Sequence, residues 1–148
     1  MEIRFVQPDS ADFRLLAAAL DAYYFTLVGD IQLKYAEPNR PENMNALAVV
    51  YEGETAIACG AWKAEDSETA EIKRIYVKEE YRRRGVASAL IRALEESAAR
   101  SGRRKLILET AVDTTGSQAL YLSLGYQLRD YYGSPAGADN CMCFHKEI

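Results

Sequence analysis

The amino-acid sequence predicts an α/β protein of the α+β type, with a single mixed, mostly antiparallel sheet of six to seven strands and helices on both faces. Three observations favour this class. Short apolar segments bounded by turn residues indicate strands, and between them lie segments whose apolar residues recur at helical spacing. One such helix joins two strands, which is the arrangement of a parallel β-α-β unit. At 148 residues the chain is long enough to bury a core, and we expect a single domain over 1–148.

The composition narrows the class of protein. The formal net charge of −4 argues against a general nucleic-acid binder, whose surface would be strongly basic. The apolar runs are too short to cross a bilayer, and the N-terminus lacks a signal-peptide core. We therefore expect a cytoplasmic protein with neither a nucleic-acid nor a membrane partner.

The cysteines and the single histidine do not suggest a metal centre. A zinc site needs four ligands close together, whereas Cys59 lies far in sequence from Cys141, Cys143 and His145. We therefore expect no metal, and we expect the thiols to be reduced and structural. We give His145 no catalytic role and place it on a strand at the edge of the sheet.

The first 45 residues predict a strand, a helix and a weakly patterned segment. The strand covers 3–7, and Ser10 is the expected N-cap of the helix, whose apolar residues continue to Tyr24. Two prolines break any long helix between 30 and 44. The candidates for a lid or pocket wall in this region are Tyr24, Phe25, Tyr35 and Asn39. Alternatively, these side chains pack beneath a loop.

Three predicted strands follow, over 46–51, 55–62 and 69–77, and a glycine turn joins the first two. In the third strand the apolar alternation changes phase between Lys73 and Arg74. One extra residue at such a point is typical of a β-bulge, which frees backbone groups for a ligand. The alternative is a regular strand from which Arg74 points into solvent.

The remaining chain predicts the rest of the β-α-β unit and a C-terminal pair of strands. A helix over 86–101 carries an apolar stripe and ends at Gly102. The elements after it are a buried strand over 105–110, a helix opened by a capping box at Thr115 and ending near Leu124, and strands over 126–132 and 140–148.

The turn before the 86–101 helix is basic and contains a glycine. A helix N-terminus exposes unpaired N–H groups and a partial positive charge, which together attract phosphate. Glycine adopts a positive φ readily, and arginine supplies planar donors for phosphate oxygens. The predicted diphosphate site comprises Arg82, Arg83, Arg84, Gly85, Val86, Ala87 and Ser88. Alternatively, the arginines are a solvated charge run before an ordinary helix.

This turn and two further segments resemble the GNAT superfamily of acyl-CoA N-acyltransferases. Residues 82–87, Arg-Arg-Arg-Gly-Val-Ala, match the family's Gln/Arg-x-x-Gly-x-Gly/Ala signature. Residues 71–77 are similar to its fourth strand, and 119–126 to its Leu-Tyr-x-x-x-Gly-Phe/Tyr segment. The resemblance covers nearly the whole chain and implies the family's fold, with acetyl-CoA as the acetyl donor. The implied activity is N-acetyl transfer to a primary amine of a small molecule or peptide by direct attack on the thioester.

The resemblance also implies roles for individual residues. Besides the basic turn, the implied donor contacts are Ile75, Tyr76, Val77 and Tyr121. The N–H of Ile75 would polarise the thioester carbonyl, and Tyr121 would protonate the leaving thiolate. Glu71 matches a glutamate that serves as the base in some family members. It would equally suit an ion pair with Lys73 or Arg74.

The sequence gives the least information about the molecule that accepts the acetyl group. The substrate candidates are Tyr24, Tyr35, Glu109 and Asp113, of which the carboxylates suit an ammonium group. Glu109 is a second candidate base, and Thr114 stands where the family often has an asparagine. A CoA-binding module without turnover and a binder of another phosphorylated ligand stay open as alternative functions. A homodimer stays open as the assembly.

Overall fold

The computed structural model describes residues 1–30, 36, 38–111, 116–133 and 141–148. Its strands are β1 (Glu2–Val6), β2 (Ala46–Glu52), β3 (Thr55–Ala64), β4 (Thr69–Val77), β5 (Lys105–Ala111), β6 (Gln127–Arg129) and β7 (Cys141–Glu147). Its helices are α1 (Ala11–Val28), α2 (Val86–Arg100) and α3 (Ser117–Ser123), with short 3-10 turns at Pro41–Asn43 and Glu79–Tyr81. The described strands form one sheet in the order β1-β2-β3-β4-β5-β7-β6. Among the described strands only β4 and β5 pair in parallel, so the predicted mixed, mostly antiparallel sheet is confirmed.

Helices cover both faces of the sheet. Helix α1 begins where Ser10 Oγ accepts a hydrogen bond from the Phe13 N–H at 3.2 Å, which confirms the predicted N-cap. Its buried residues pack with Leu47 and Val49 of β2. Helix α2 packs with Ala48 and Val50, which alternate with those residues and therefore lie on the opposite face. The predicted α2 stripe is confirmed by its buried side chains: Val86, Leu90, Ile91, Leu94 and Ala98.

Strand β4 contains the predicted bulge. Lys73 pairs with Ala61 of β3 and Tyr76 pairs with Cys59, so two residues of β4 oppose the single residue Gly60. One of the two, Arg74, has a φ of 62°, and only 7% of its surface is exposed. The alternative of a regular strand with a solvent-facing Arg74 is therefore wrong.

Strands β4 and β5 separate beyond the bulge. Their parallel pairing begins at Thr69 and Lys105 and ends at Ile72 and Leu108. Strand β5 then continues to pair with β7 as far as Ala111. Within the described ranges, the C-terminal half of β4 therefore has no strand neighbour on its β5 side. This leaves a backbone edge exposed in the middle of the sheet.

Three details of the C-terminal prediction need correction. Strand β7 lies between β5 and β6, so His145 is on an interior strand and not at the edge. Strand β6 contains only three residues, whereas the sequence predicts a strand over 126–132, and β7 ends at Glu147. The N-cap of α3 is Gly116, one residue after Thr115, which lies outside the described residues.

The thiols are free, with Cys59 and Cys143 buried and Cys141 half-buried. Among the described residues, no group of three or more histidine, cysteine, aspartate or glutamate side chains is arranged to hold a metal ion. No helix in the described part of the chain is long and apolar enough to cross a membrane.

Candidate active site

A cavity of about 910 Å³ lies where β4 and β5 separate, and α1, α2 and α3 complete its walls. Most of the residues predicted for the site line it: Tyr24, Glu71, Ile75, Tyr76, Val77, Arg82, Arg83, Gly85, Val86, Ala87, Ser88, Glu109 and Tyr121. Asn39 also lines this cavity, whereas the half-exposed Phe25 lines a smaller, neighbouring one. Arg84 is not part of the wall, and Tyr35, Asp113 and Thr114 lie outside the described residues.

The N-terminus of α2 opens into this cavity. Gly85 is the N-cap and has a φ of 79°, a conformation that disfavours residues with a Cβ. Gly85 has no side chain to cap the first amides of α2, and the first turn of this helix contains no acidic residue. The amides of the first turn are therefore available to an anion, and no neighbouring carboxylate of that turn repels it.

The three arginines of the basic turn have different surroundings. Arg82 Nε donates to the Val77 carbonyl oxygen at 2.8 Å, and its guanidinium lies over the Tyr76 ring. Arg84 lies over the Tyr81 ring, outside the cavity wall. Arg83 lines the cavity and has a φ of 63°. Arg82 therefore ties the turn to the end of β4, and both Arg82 and Arg83 line the cavity.

Tyr121 lies deep in the cavity wall. Its ring packs against Tyr126 and Phe144, with centroid distances of 5.7 Å and 5.8 Å, and only 6% of the residue is exposed. Burial raises the pKa of its hydroxyl above the ordinary value, and the neighbouring Tyr24 adds to the shift. The hydroxyl therefore stays neutral and keeps its proton, as a hydrogen-bond donor or an acid requires.

Glu71 is held by two partners on the α1 side of the sheet. Its Oε2 accepts a hydrogen bond from the Tyr132 hydroxyl at 2.6 Å, and its Oε1 lies 3.4 Å from Lys73 Nζ. The Glu71 side chain is 12% exposed, and Arg74 pairs with Asp21 instead. The ion pair with Lys73 is thus present, and the same carboxylate also faces the cavity.

Glu109 forms a second acidic position in the cavity wall. Its Oε1 accepts a hydrogen bond from the Tyr131 hydroxyl at 3.2 Å, and the Cys141 thiol donates another to this carboxylate. Burial, with the charge of Glu109 next in importance, raises the pKa of the Cys141 thiol to about 12. Tyr24 is half-buried nearby, where its hydroxyl forms a hydrogen bond with Thr110 and burial raises its pKa.

Several side chains of the site were missed by the sequence reasoning. The sequence pattern places Tyr131 and Tyr132 only on a strand, yet each contacts a candidate carboxylate. Cys141 was treated as structural, although it lines the cavity. A weak signal was available, since Tyr131 and Tyr132 are two adjacent aromatic residues with polar hydroxyls at the end of the predicted strand. Nothing in the local pattern showed which carboxylates they would meet.

Comparison with known proteins gives a consistent result. Residues 13–126 match the model of the acetyltransferase (GNAT) family. A Klebsiella pneumoniae structure assigned to the acyl-CoA N-acyltransferases is 27% identical, with a TM-score of 0.82, and the match covers 99% of this chain and 96% of that one. A GNAT family acetyltransferase from Elizabethkingia anophelis with acetyl-CoA bound is 18% identical, with a TM-score of 0.70 over 99% of this chain and 97% of its own. At that identity the likeness concerns the fold alone.

The sequence relatives match over shorter stretches. A Xenopus tropicalis protein assigned as N-acetyltransferase 14 is 32% identical over 80 residues, which are 53% of this chain and 39% of that protein. The chain spans between 39% and 62% of the length of the first four curated relatives that it matches.

Proposed function

Because the chain belongs to the GNAT acetyltransferase family, we propose that it is an acetyl-CoA-dependent N-acetyltransferase. The proposed reaction transfers the acetyl group to a primary amine of a small molecule or peptide, which attacks the thioester directly. The whole proposed site lies within residues 1–148, which we take as one catalytic domain.

A single observation carries the proposal. Among the residues that the structure describes, one cavity contains the uncapped N-terminus of α2, the edge of β4 that pairs with no strand, and the neutral hydroxyl of Tyr121. The helix N-terminus suits a diphosphate, and the strand edge suits an extended arm that contains amides. The tyrosine hydroxyl suits a leaving thiolate. Acetyl-CoA is a donor that needs all three, so the residues present fit it.

Acetyl-CoA, when bound, supplies an acetyl thioester whose carbonyl carbon accepts the amine. The backbone N–H of Ile75, the second residue of the bulge, is the donor that we assign to the carbonyl oxygen. Tyr121 is the acid assigned to the thiolate, because it is a protonated hydroxyl side chain in the wall of the cavity, away from bulk water. The remaining donor contacts that we assign are Tyr76, Val77, Arg82, Arg83, Arg84, Gly85, Val86, Ala87 and Ser88.

The acceptor amine is assigned to the α1 side of the cavity. Glu71 and Glu109 place two carboxylates there, and an ammonium group would be attracted to them before it loses its proton. Glu71 is the base that we favour, because Tyr132 and Lys73 fix its orientation. Tyr24 forms part of the same wall, and Tyr35 and Asp113 are kept as acceptor contacts on the sequence prediction alone.

The variant Tyr121→Phe tests the proposal. It keeps the ring packed against Tyr126 and Phe144 but removes the proton donor. We expect kcat, followed by release of the CoA thiol in a panel of primary amines, to fall about 10² to 10⁴-fold. The affinity for CoA, measured by titration calorimetry, should change less than about twofold.

A matched control is Tyr126→Phe, which removes a hydroxyl from the same aromatic group. That hydroxyl donates to Glu95 at 2.8 Å and does not line the cavity, so kcat should be retained. Wild-type protein that binds CoA but acetylates no amine in the panel would favour the module without turnover. If nucleotides raise the unfolding temperature and acetyl-CoA does not, the cavity binds a different phosphorylated ligand.

A further inference from the structure

Arg74 has no part in the chemistry proposed above, yet its conformation is unusual in two respects. It is a residue other than glycine with a φ of 62°, at the bulge of β4. It is also buried, with 5% of its side chain exposed. A left-handed conformation is unfavourable for a residue with a Cβ, and glycine is the usual occupant of such a bulge position.

The Arg74 side chain links the bulge to helix α1. Its Nη2 donates to the Ala17 carbonyl oxygen at 2.9 Å and to Asp21 Oδ1 at 2.8 Å. Both partners lie on α1, more than fifty positions away in sequence. Within the bulge itself, the Arg74 carbonyl oxygen accepts a hydrogen bond from the Cys59 thiol. The bulge is therefore held from two sides, by α1 and by β3.

These contacts do not make Arg74 a favourable choice for stability alone. A buried guanidinium must be fully paired to offset its desolvation, and Arg74 Nε has no hydrogen-bond partner in the part of the chain that the structure describes. A glycine would remove both the backbone strain and the buried charge. The position of Arg74 is more informative, since it lines the cavity and directly precedes Ile75.

We propose that Arg74 is a positioning residue, which fixes the bulge of β4 against α1 and so holds the backbone N–H of Ile75 in its orientation toward the cavity. The proposal rests on the proposed function, in which that N–H polarises the acetyl carbonyl. Helix α1 also carries Tyr24, which lies on the side of the cavity assigned to the acceptor amine. The contact between Arg74 and α1 therefore also sets the distance from Tyr24 to the edge of β4 that is assigned to acetyl-CoA.

The test uses Arg74→Gly, because glycine tolerates the bulge conformation and only the link to α1 is lost. We expect kcat to fall on the order of 10²-fold, the loss that accompanies misplacement of a reacting group by about 1 Å. The affinity for CoA should change little, because the N-terminus of α2 is untouched. Arg74→Lys and Asp21→Asn, which weaken the link without abolishing it, should give intermediate values of kcat.

The control is Arg100→Ala, which breaks an exposed ion pair with Glu96 and should leave kcat unchanged. A second readout does not depend on turnover: amide hydrogen exchange within residues 73–77 should become faster in Arg74→Gly and not in Arg100→Ala. The proposal would be overturned if Arg74→Gly kept the kcat of the wild type and its rate of hydrogen exchange was unchanged. It would also be overturned if Arg74→Gly lost CoA affinity but kept its kcat. Absence of turnover in the wild type would count against the proposed function, while the exchange result would still decide whether Arg74 holds the bulge.

Discussion

The glycine opposite the bulge gives a quantitative test of how tightly this region is packed. A Cβ added to Gly60 would lie 2.7 Å from Ile75 Cδ1, 3.0 Å from Leu94 Cδ1 and 3.2 Å from Leu90 Cδ2. Leu90 and Leu94 are fully buried, so they have little room to move. Gly60→Ala should therefore lower the free energy of unfolding by about 1–3 kcal/mol, the usual result of overpacking a core.

The expected change is measurable by thermal unfolding. For a chain of 148 residues, about 3–4 °C of Tm corresponds to 1 kcal/mol, so Gly60→Ala should lower Tm by about 3–12 °C. The diagnostic partner is Ile75→Val, which removes the Cδ1 atom that is nearest to the new methyl group. Alone, Ile75→Val should cost about 0.5–1.5 kcal/mol.

The double variant separates a steric clash from a general loss of packing. If Gly60 is required because of Ile75, Gly60→Ala with Ile75→Val should be more stable than the sum of the single changes by about 0.5–3 kcal/mol. Additive losses would refute the reasoning, since the clash would then not involve Cδ1. A Gly60→Ala variant as stable as the wild type would refute the packing of the bulge altogether.

Three further predictions concern the α2 N-terminus, a buried thiol and the Glu71 carboxylate. Gly85→Ala should lower the free energy of unfolding by about 1 kcal/mol and also weaken CoA binding. Gly102 also has a positive φ but lies at the far end of α2, so Gly102→Ala should lower stability alone. Equal CoA affinities in the two variants would contradict this prediction. Burial raises the pKa of Cys59 from 9.0 to about 12, so its contribution to stability is present below pH 9 and is lost as the pH rises toward 12. Urea unfolding between pH 9 and 12 should show a shallower decline in Cys59→Ala, and an identical decline would exclude this thiol as a cause. Tyr132→Phe removes the donor to Glu71 Oε2 and should lower kcat with little change in CoA affinity; unchanged kcat would argue against Glu71 as the base.

Features that appear in the sequence as a regular spacing of apolar residues were predicted well. The stripe of α2 repeats every three to four residues, and its burial follows directly from that spacing. The phase change between Lys73 and Arg74 located the bulge to the correct residues, because a strand alternates strictly and one extra residue reverses every following side chain. The cavity residues near Gly85 were also predictable, since a helix N-terminus after a strand has a fixed polarity.

Contacts between distant segments were not predictable from local pattern. Tyr132 and Glu71 are separated by 61 positions, and their hydrogen bond depends on the tertiary packing that places the segment after β6 near β4. The pairing of Arg74 with Asp21 spans 53 positions and was not anticipated either. The position of His145 was wrong for the same reason, because the order of strands in a sheet is set by tertiary packing and not by order in the chain.

A crystal structure with acetyl-CoA bound would test the central claim most directly. We expect the diphosphate on the amides of the first turn of α2 and the pantetheine arm along the edge of β4 beyond Ile72. We also expect the thioester oxygen near the Ile75 N–H and the sulfur within about 3–4 Å of the Tyr121 hydroxyl, close enough for a proton to pass. A diphosphate bound elsewhere, or a sulfur atom out of reach of Tyr121, would contradict the claim.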